Sequence, residues 1–255
     1  MAKGAAIRFQ SYAETVPKLL NILGLAKELK KHNQVVLKPA LQNPESESTS
    51  SEFTEAVLKF VLENKNPITE VFIAEGSDGV DTDEMFDSHG YKELAEKYDV
   101  GLVDLNNTGL DEIYKHDFQE FERIDYPSIL ASSFVISLPV LSQNEELEIQ
   151  GALSNMLGAF PASVYRGFFT KAKTKIRKSN IKYSIHDILK CKLPDFAVMD
   201  ASSHGFILSG LPLEIDTQAC KLLKIEKSSV PYLKLIEESF SEPLTEEQKT
   251  AVQQI

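Results

Sequence analysis

Lys38, Glu75, Asp104, Ser137 and Asp200 each stand at the end of a short apolar run. A lysine with three carboxylates can hold an anion, bind a hard cation or pass a proton. If one site gathers them, Lys38 binds the ligand, while Glu75, Asp104 and Asp200 act on a metal or a proton. Strands often end in polar residues because the chain must return to water, so one such residue alone means nothing. Ligand sites of open α/β sheets lie beyond the carboxyl ends of the strands, which is where these residues fall. Lys38, Glu75 and Asp200 are therefore expected around one cleft.

Two local segments add to this set. Glu75-Gly-Ser-Asp-Gly-Val-Asp-Thr-Asp-Glu84 is dense in oxygen ligands. Glu75 and Asp78, with Asp81 and Asp83, suit magnesium or another hard divalent cation, and a solvated acidic turn is the competing reading. The spacing differs from the calcium-binding EF-hand loop, and neither nucleotide-binding glycine pattern is present. The second segment runs from Arg166 to Lys182, with Lys171, Lys173, Lys175, Arg177 and Lys178 and no acidic residue. Such a run is usually a solvated helix face, but those faces mix signs. An exposed, lid-like patch in which Lys173, Lys175 and Arg177 hold a phosphate- or carboxylate-bearing ligand competes with that reading. Tyr165, Phe168 and Phe169 precede the lysines instead of interleaving with them, which argues against stacking on nucleic acid.

The remaining reactive side chains are less informative. His32, His89, His116, His186 and His204 lack zinc-ligand spacing. His204 follows Asp200 in a turn and reads best as a surface histidine. Cys191 and Cys220 fall in helix-like apolar patterns, as inert core cysteines do. Two cysteines are too few for an iron–sulfur cluster or a disulfide framework.

The elements that must position these residues emerge from periodicity. Apolar β-branched runs at Gln34–Lys38, Glu70–Ala74, Val100–Asp104, Phe134–Leu138 and Asp195–Asp200 read as strands. Helical patterns lie between them: Pro17–Lys31, a stripe of Phe53, Val57, Phe60 and Val61, Tyr91–Tyr98, and Glu145–Leu157. Asp216–Leu223 and Val230–Phe240 come after these. Thr49 and Glu52 are spaced as a capping box for the second helix, and Thr245 with Gln248 repeats that spacing in the tail. Strands alternating with helices predict an α/β fold, a mainly parallel or mixed sheet flanked by helices. Residues 1–241 form a single domain in this reading, with room for a small lobe around 140–190 and a polar tail at 242–255.

Length and composition bound the function. The 255 residues are 42% hydrophobic and 25% charged, a globular composition. A net charge of -11 opposes attraction to nucleic acid or anionic lipid, so an anion site must be local. The opening Met1-Ala-Lys-Gly lacks a signal-peptide run, and stretches such as Phe134 to Leu141 are too short to span a bilayer. These features point to a cytoplasmic protein without a membrane partner.

Several stretches together resemble the domain-of-unknown-function 362 (DUF362) family: Val35-Val-Leu-Lys-Pro39, Phe134-Val-Ile-Ser-Leu-Pro139, Gly151-Ala-Leu-Ser-Asn-Met-Leu-Gly158 and Phe196-Ala-Val-Met-Asp-Ala201. Leu213 to Cys220 and Val230-Pro-Tyr232 are similar to its closing segment. The resemblance marks Lys38, Asn155, Gly158, Asp200 and Asp216 as matching positions, which adds Asn155 to the ligand-binding candidates. It also shows departures. Ala40 stands where the family has asparagine, and Pro139-Val-Leu-Ser-Gln-Asn144 replaces its Pro-Lys-Leu-Lys-Thr-His. Many members carry ferredoxin-like cysteine clusters, which this chain lacks. Residues and resemblance together lead to the expectation of a protein that binds a small anionic metabolite, with a divalent metal, and could act on it. The alternative is a non-catalytic interaction protein on a degenerate scaffold.

Overall fold

A computed structural model describes residues 4–42 and 48–240. The polar tail at 242–255, and residues 43–47 of the loop before the second helix, lie outside the described residues. The strands are β1 (Gly4–Arg8), β2 (Gln34–Pro39), β3 (Glu70–Glu75), β4 (Gly101–Asp104), β5 (Leu110–Ile113), β6 (Ile124–Pro127), β7 (Phe134–Leu138), β8 (Phe196–Ala201) and β9 (Phe206–Gly210). The α-helices are α1 (Tyr12–Leu23), α2 (Leu25–Leu29), α3 (Ser51–Asn64), α4 (Thr82–Ser88) and α5 (Tyr91–Tyr98). They continue with α6 (Ser128–Ser132), α7 (Ala162–Tyr165), α8 (Ile181–Cys191), α9 (Pro212–Leu223) and α10 (Pro231–Phe240).

The main sheet has seven strands in the order β1-β9-β8-β7-β2-β3-β4, and β5 and β6 make a separate hairpin. From β8 to β4 the pairing is parallel, while β9 and β1 join antiparallel at one edge. The fold is thus the mostly parallel, mixed α/β sheet that the alternation of patterns predicts.

Because side chains alternate along a strand, both faces of the buried strands are apolar. Val35 and Leu37 of β2 and Phe196 and Val198 of β8 face a core that includes Leu19, Leu20, Phe53 and Val57 of α1 and α3. Val36 and Met199 face the opposite core, with Met156, Phe160, Ile185, Ala219 and Leu233. Each fully buried leucine or isoleucine stabilises by roughly 2 kcal/mol. Among the described residues no helix is long and apolar enough to cross a membrane.

The elements differ from the sequence expectation at several places. The first helix starts earlier, at Tyr12, because the Ser11 side chain accepts the Glu14 N–H; Pro17 lies inside it. It stops at Gly24, whose φ of 73° breaks α1 from α2. Ser50, not Thr49, caps α3, accepting from Phe53 N at 3.2 Å; Thr49 instead donates to Leu138 O at 2.6 Å and ties the loop to β7. The antiparallel edge strands β1 and β9, and the β5–β6 hairpin, have no counterpart among the sequence-predicted strands. The largest difference is at Glu145–Leu157, which is not an α-helix but a set of turns ending in a 3-10 turn, Ser154–Ala159. Glu148 takes a φ of 66° there, and the Ala152 and Leu153 amides bond to Asp216 instead of to the preceding turn.

Candidate functional site

Strands β2 and β3 end side by side, and their last polar side chains meet. Lys38 and Glu75 form an ion pair with Nζ to Oε2 at 2.6 Å, and each residue is at most 3% exposed. Lys38 Nζ also donates to Asn155 Oδ1 at 3.2 Å and Pro39 O at 3.4 Å, so its three protons are all engaged. Asn155 returns the contact, donating from Nδ2 to Lys38 O and to Ser137 Oγ, both at 3.0 Å. Ser137, at the end of β7, in turn donates to Ala152 O at 3.0 Å. Four of the polar residues named by sequence and resemblance thus form one buried network.

Two glycines let the backbone close over this network. A Cβ on Gly158 would stand 2.4 Å from Glu75 Oε1 and 2.6 Å from Lys38 Nζ. A Cβ on Gly76 would stand 2.4 Å from Gly158 O. Only a residue without a side chain fits such approaches without displacing its neighbours.

Lys173 enters from the basic segment. The sequence pattern places it on an exposed lid, yet it is 1% exposed, and its Nζ donates to Gly76 O at 2.6 Å and Gly158 O at 3.2 Å. Those two bonds leave one ammonium proton for a third partner. The Lys173 amide donates to Asp78 Oδ1 at 2.6 Å, and Arg177 Nη1 reaches Asp78 Oδ2 at 2.7 Å. Arg177 Nε contacts Glu146 at 3.1 Å. The segment is therefore pinned by acidic residues from elsewhere in the chain, which its own single-signed sequence could not reveal.

A cavity of about 290 Å³ opens beside this cluster, lined by Glu75, Gly76, Asp78, Asn155, Gly158, Lys173 and Arg177, with Glu146 at its rim. Lys38 lies beneath it and holds Glu75. Burial pushes the Glu75 carboxyl up, while the Lys38 and then the Lys173 ammonium pull it back. Burial pushes Lys173 down to about 8, against the attraction of Glu75 and Asp78. The proton affinities of acid and base thus move toward each other.

The other expected site residues lie elsewhere. Asp200 shares its strand face with Phe196 and Val198, not with the Lys38 face. Its Oδ2 accepts from Tyr12 OH at 2.6 Å and its Oδ1 from Ser202 N at 2.9 Å. The three-residue cleft of Lys38, Glu75 and Asp200 is corrected accordingly: the first two touch and the third faces the α1 layer. Asp104 stays at the same edge, but its oxygens accept from Asn106 N at 2.9 Å and Asn107 Nδ2 at 2.6 Å. Lys175 donates to Val164 O at 2.6 Å and is exposed, outside the cavity lining. In the acidic turn Asp81 caps α4, and Asp83 pairs with Lys92 at 2.8 Å. Among the described residues no three histidine, cysteine, aspartate or glutamate side chains are grouped to hold a metal. His204 is an exposed residue bonded to its neighbour Ser203. Burial pushes the Cys191 and Cys220 thiols up to about 12 and about 11, so both are inert. Sequence reasoning missed Glu146 and the close approach of Gly76 to Gly158, which depends on two segments far apart in the chain.

The family model for DUF362, a domain of unknown function, matches residues 35–206. The chain belongs to the DUF362 family. Most of the cleft residues lie within that span. No curated protein matches the sequence. Among solved structures, the lactate racemase apoprotein from Thermoanaerobacterium thermosaccharolyticum matches with a TM-score of 0.55 and 14% identity. The match covers 89% of this chain and 57% of that one. A Thermotoga maritima protein aligns at a TM-score of 0.44 and 11% identity, over 89% of this chain and 59% of that one. This DUF362 chain therefore spans under two thirds of either structure, and at 14% identity the likeness to the lactate racemase apoprotein is one of fold.

Proposed function

We propose that the cleft over Lys38, Glu75 and Lys173 binds a small, singly charged acid and is equipped to exchange a proton with it. The observation that carries this reading is the buried Lys173 ammonium, which lines a cavity with one proton uncommitted and a carboxyl of raised proton affinity beside it. The charge of the site limits the ligand. Lys38, Lys173 and Arg177 are balanced by Glu75, Asp78 and Glu146, so the cleft does not attract a polyanion. A monocarboxylate near neutrality fits this balance better than a nucleotide or nucleic acid. The shared sheet with a lactate racemase apoprotein is consistent with a small-molecule site at this edge but does not name the ligand.

Thermal-shift and calorimetric titration with a panel of small carboxylic and phosphoric acids tests the reading. Stabilisation by at least one of them is expected, lost in Lys173→Met and kept in Lys175→Ala. If no acid binds, or if binding survives Lys173→Met, the reading fails. One observation favours the alternative of a non-catalytic interaction protein: Phe168 and Phe169 are 94% and 95% exposed at the tip of the basic segment. Replacing both with serine should leave acid binding intact under the first reading.

A further inference from the structure

The turn that closes the cleft is gripped by a residue that the proposed function does not use. Asp216 of α9 is fully buried, and its carboxylate accepts the Ala152 N–H at 2.6 Å and the Leu153 N–H at 3.0 Å. The approach is so close that a Cβ on Gly151 would stand 2.4 Å from Asp216 Oδ1. From this anchor the chain runs directly into the site. The Asn155 amide bonds back to Gly151 O at 3.0 Å, the Asn155 side chain meets Lys38, and Gly158 O meets Lys173. A segment that would otherwise read as helix is thereby held as a turn, with its peptide groups facing the cluster.

We propose that Asp216 is a positioning residue for the cleft: by holding the amides of Ala152 and Leu153, it sets where Asn155 and Gly158 stand against Lys38, Glu75 and Lys173. This deepens the functional reading by naming a control on that same site, and it rests on that reading only in treating the cleft as a binding site. The grip is strongest when both carboxylate oxygens are acceptors. A protonated carboxyl keeps one good acceptor and must turn its hydroxyl away from the other amide. Burial pushes Asp216 up to about 7, against the pull of the Leu153 and Ala152 amides and of Tyr232. The titratable groups facing it are Tyr232 of α10 and Cys220 of its own helix. Burial pushes the Cys220 thiol up to about 11 and Tyr232 well above its ordinary value, so neither titrates near Asp216. The geometry of the cleft is thus coupled to proton uptake at a residue outside it.

The test needs no ligand, so it can fail or succeed independently of the proposed function. Amide proton–nitrogen spectra of the full chain are recorded from low to high pH. The Asn155 and Gly158 signals should move together with those of Ala152 and Leu153, with a midpoint near 7. Tyr232→Phe, which removes a group that lowers Asp216, should raise that shared midpoint. Asp216→Asn should abolish the step at Asn155 while a later step from Lys173 persists at Gly158. If Asp216→Asn does not fold, the Tyr232→Phe shift alone decides. Titration confined to Ala152 and Leu153, with Asn155 unmoved, would make Asp216 a local cap and overturn the inference. A midpoint at Asn155 that ignores Tyr232→Phe would overturn it as well.

Discussion

Strands β2 and β8 end in the same way, with an apolar run leading to a charged residue, yet Lys38 and Asp200 do opposite jobs. Lys38 takes the sheet face of Val36 and meets Glu75 and Asn155 under a cavity. Asp200 takes the face of Val198, where Tyr12 of α1 donates to it and the Ser202 amide closes a turn. The difference is one of parity. In a strand of period two, the last residue can fall on either face, and only the register with neighbouring strands decides which polar ends meet. One end became part of a site and the other became a fastening between the sheet and its first helix.

The sharpest way to break this comparison is to remove each end in turn. Lys38→Ala leaves Glu75 buried without its partner, a change that typically costs about 3–5 kcal/mol. Asp200→Ala leaves a half-buried tyrosine hydroxyl that can turn to Ser202 at 3.2 Å, and should cost about 1 kcal/mol. Chemical denaturation of both variants measures the contrast. Equal losses would mean that the two strand ends are fastened alike and that the buried cluster has no special standing.

The dependence of stability on pH should also come from the cleft side. The folded Asp216 carboxyl sits at about 7 against an ordinary 3.8, so the folded state holds its proton longer than the unfolded chain. Its stability contribution is whole at low pH and declines as pH rises through that window, by up to about 4 kcal/mol. Glu75, also pushed up by burial, acts in the same direction. Lys173 sits at about 8 against 10.5, so the unfolded chain binds its proton more tightly and stability rises again between those values. Tyr12, on the Asp200 side, is pushed to about 12 by burial and by Asp200 and stays silent in this range. Denaturation midpoints across pH should therefore show a minimum near 7 to 8, flattened on its lower limb by Asp216→Asn and on its upper limb by Lys173→Met.

Period and propensity made the parallel strands legible, because an apolar run such as Val35–Leu37 can only be buried. They also placed Lys38, Glu75 and Ser137 at one edge, since all three end neighbouring parallel strands. The family resemblance contributed Asn155, which no pattern would have singled out. What escaped depended on distant partners. Glu145–Leu157 has helical spacing, but an aspartate more than sixty residues later takes its amides. Lys173 sits in a basic run that looks solvated, and only partners distant in sequence, Asp78 just after β3 and Glu146, explain why that run folds inward. Strand β9 is short and ends in Ser209-Gly210, so nothing local distinguishes it from a loop.

A subtler probe is Gly158→Ala. Its Cβ would strike Glu75 and Lys38, both held in a buried ion pair, so the 3-10 turn must shift away from them. Overpacking of this kind costs about 1–3 kcal/mol, and acid binding should be lost even where the fold survives. Gly205→Ala, beyond Asp200, has open space around it but carries a φ of 80°; it should cost about 1 kcal/mol from backbone strain and leave binding untouched. If the Gly205 variant impaired binding as much as the Gly158 variant, the two strand ends would share one site after all.

The smallest effect expected is with magnesium, and it bears on the cation role anticipated for Glu75 and Asp78. Glu75 already faces Lys38 at 2.6 Å, and the two oxygens of Asp78 are taken by the Lys173 amide and by Arg177 at 2.6 and 2.7 Å. A divalent ion entering here must displace a guanidinium and approach two lysines, so like-charge repulsion opposes the gain from two carboxylates. Calorimetry of the wild-type chain with magnesium should accordingly show little heat. Arg177→Ala removes the cation from Asp78 and Glu146 together and should bring weak binding into view. Strong wild-type binding would reverse the order of occupants: the carboxylates would then hold a metal first, with Arg177 and Lys173 left to meet the ligand's own negative charge.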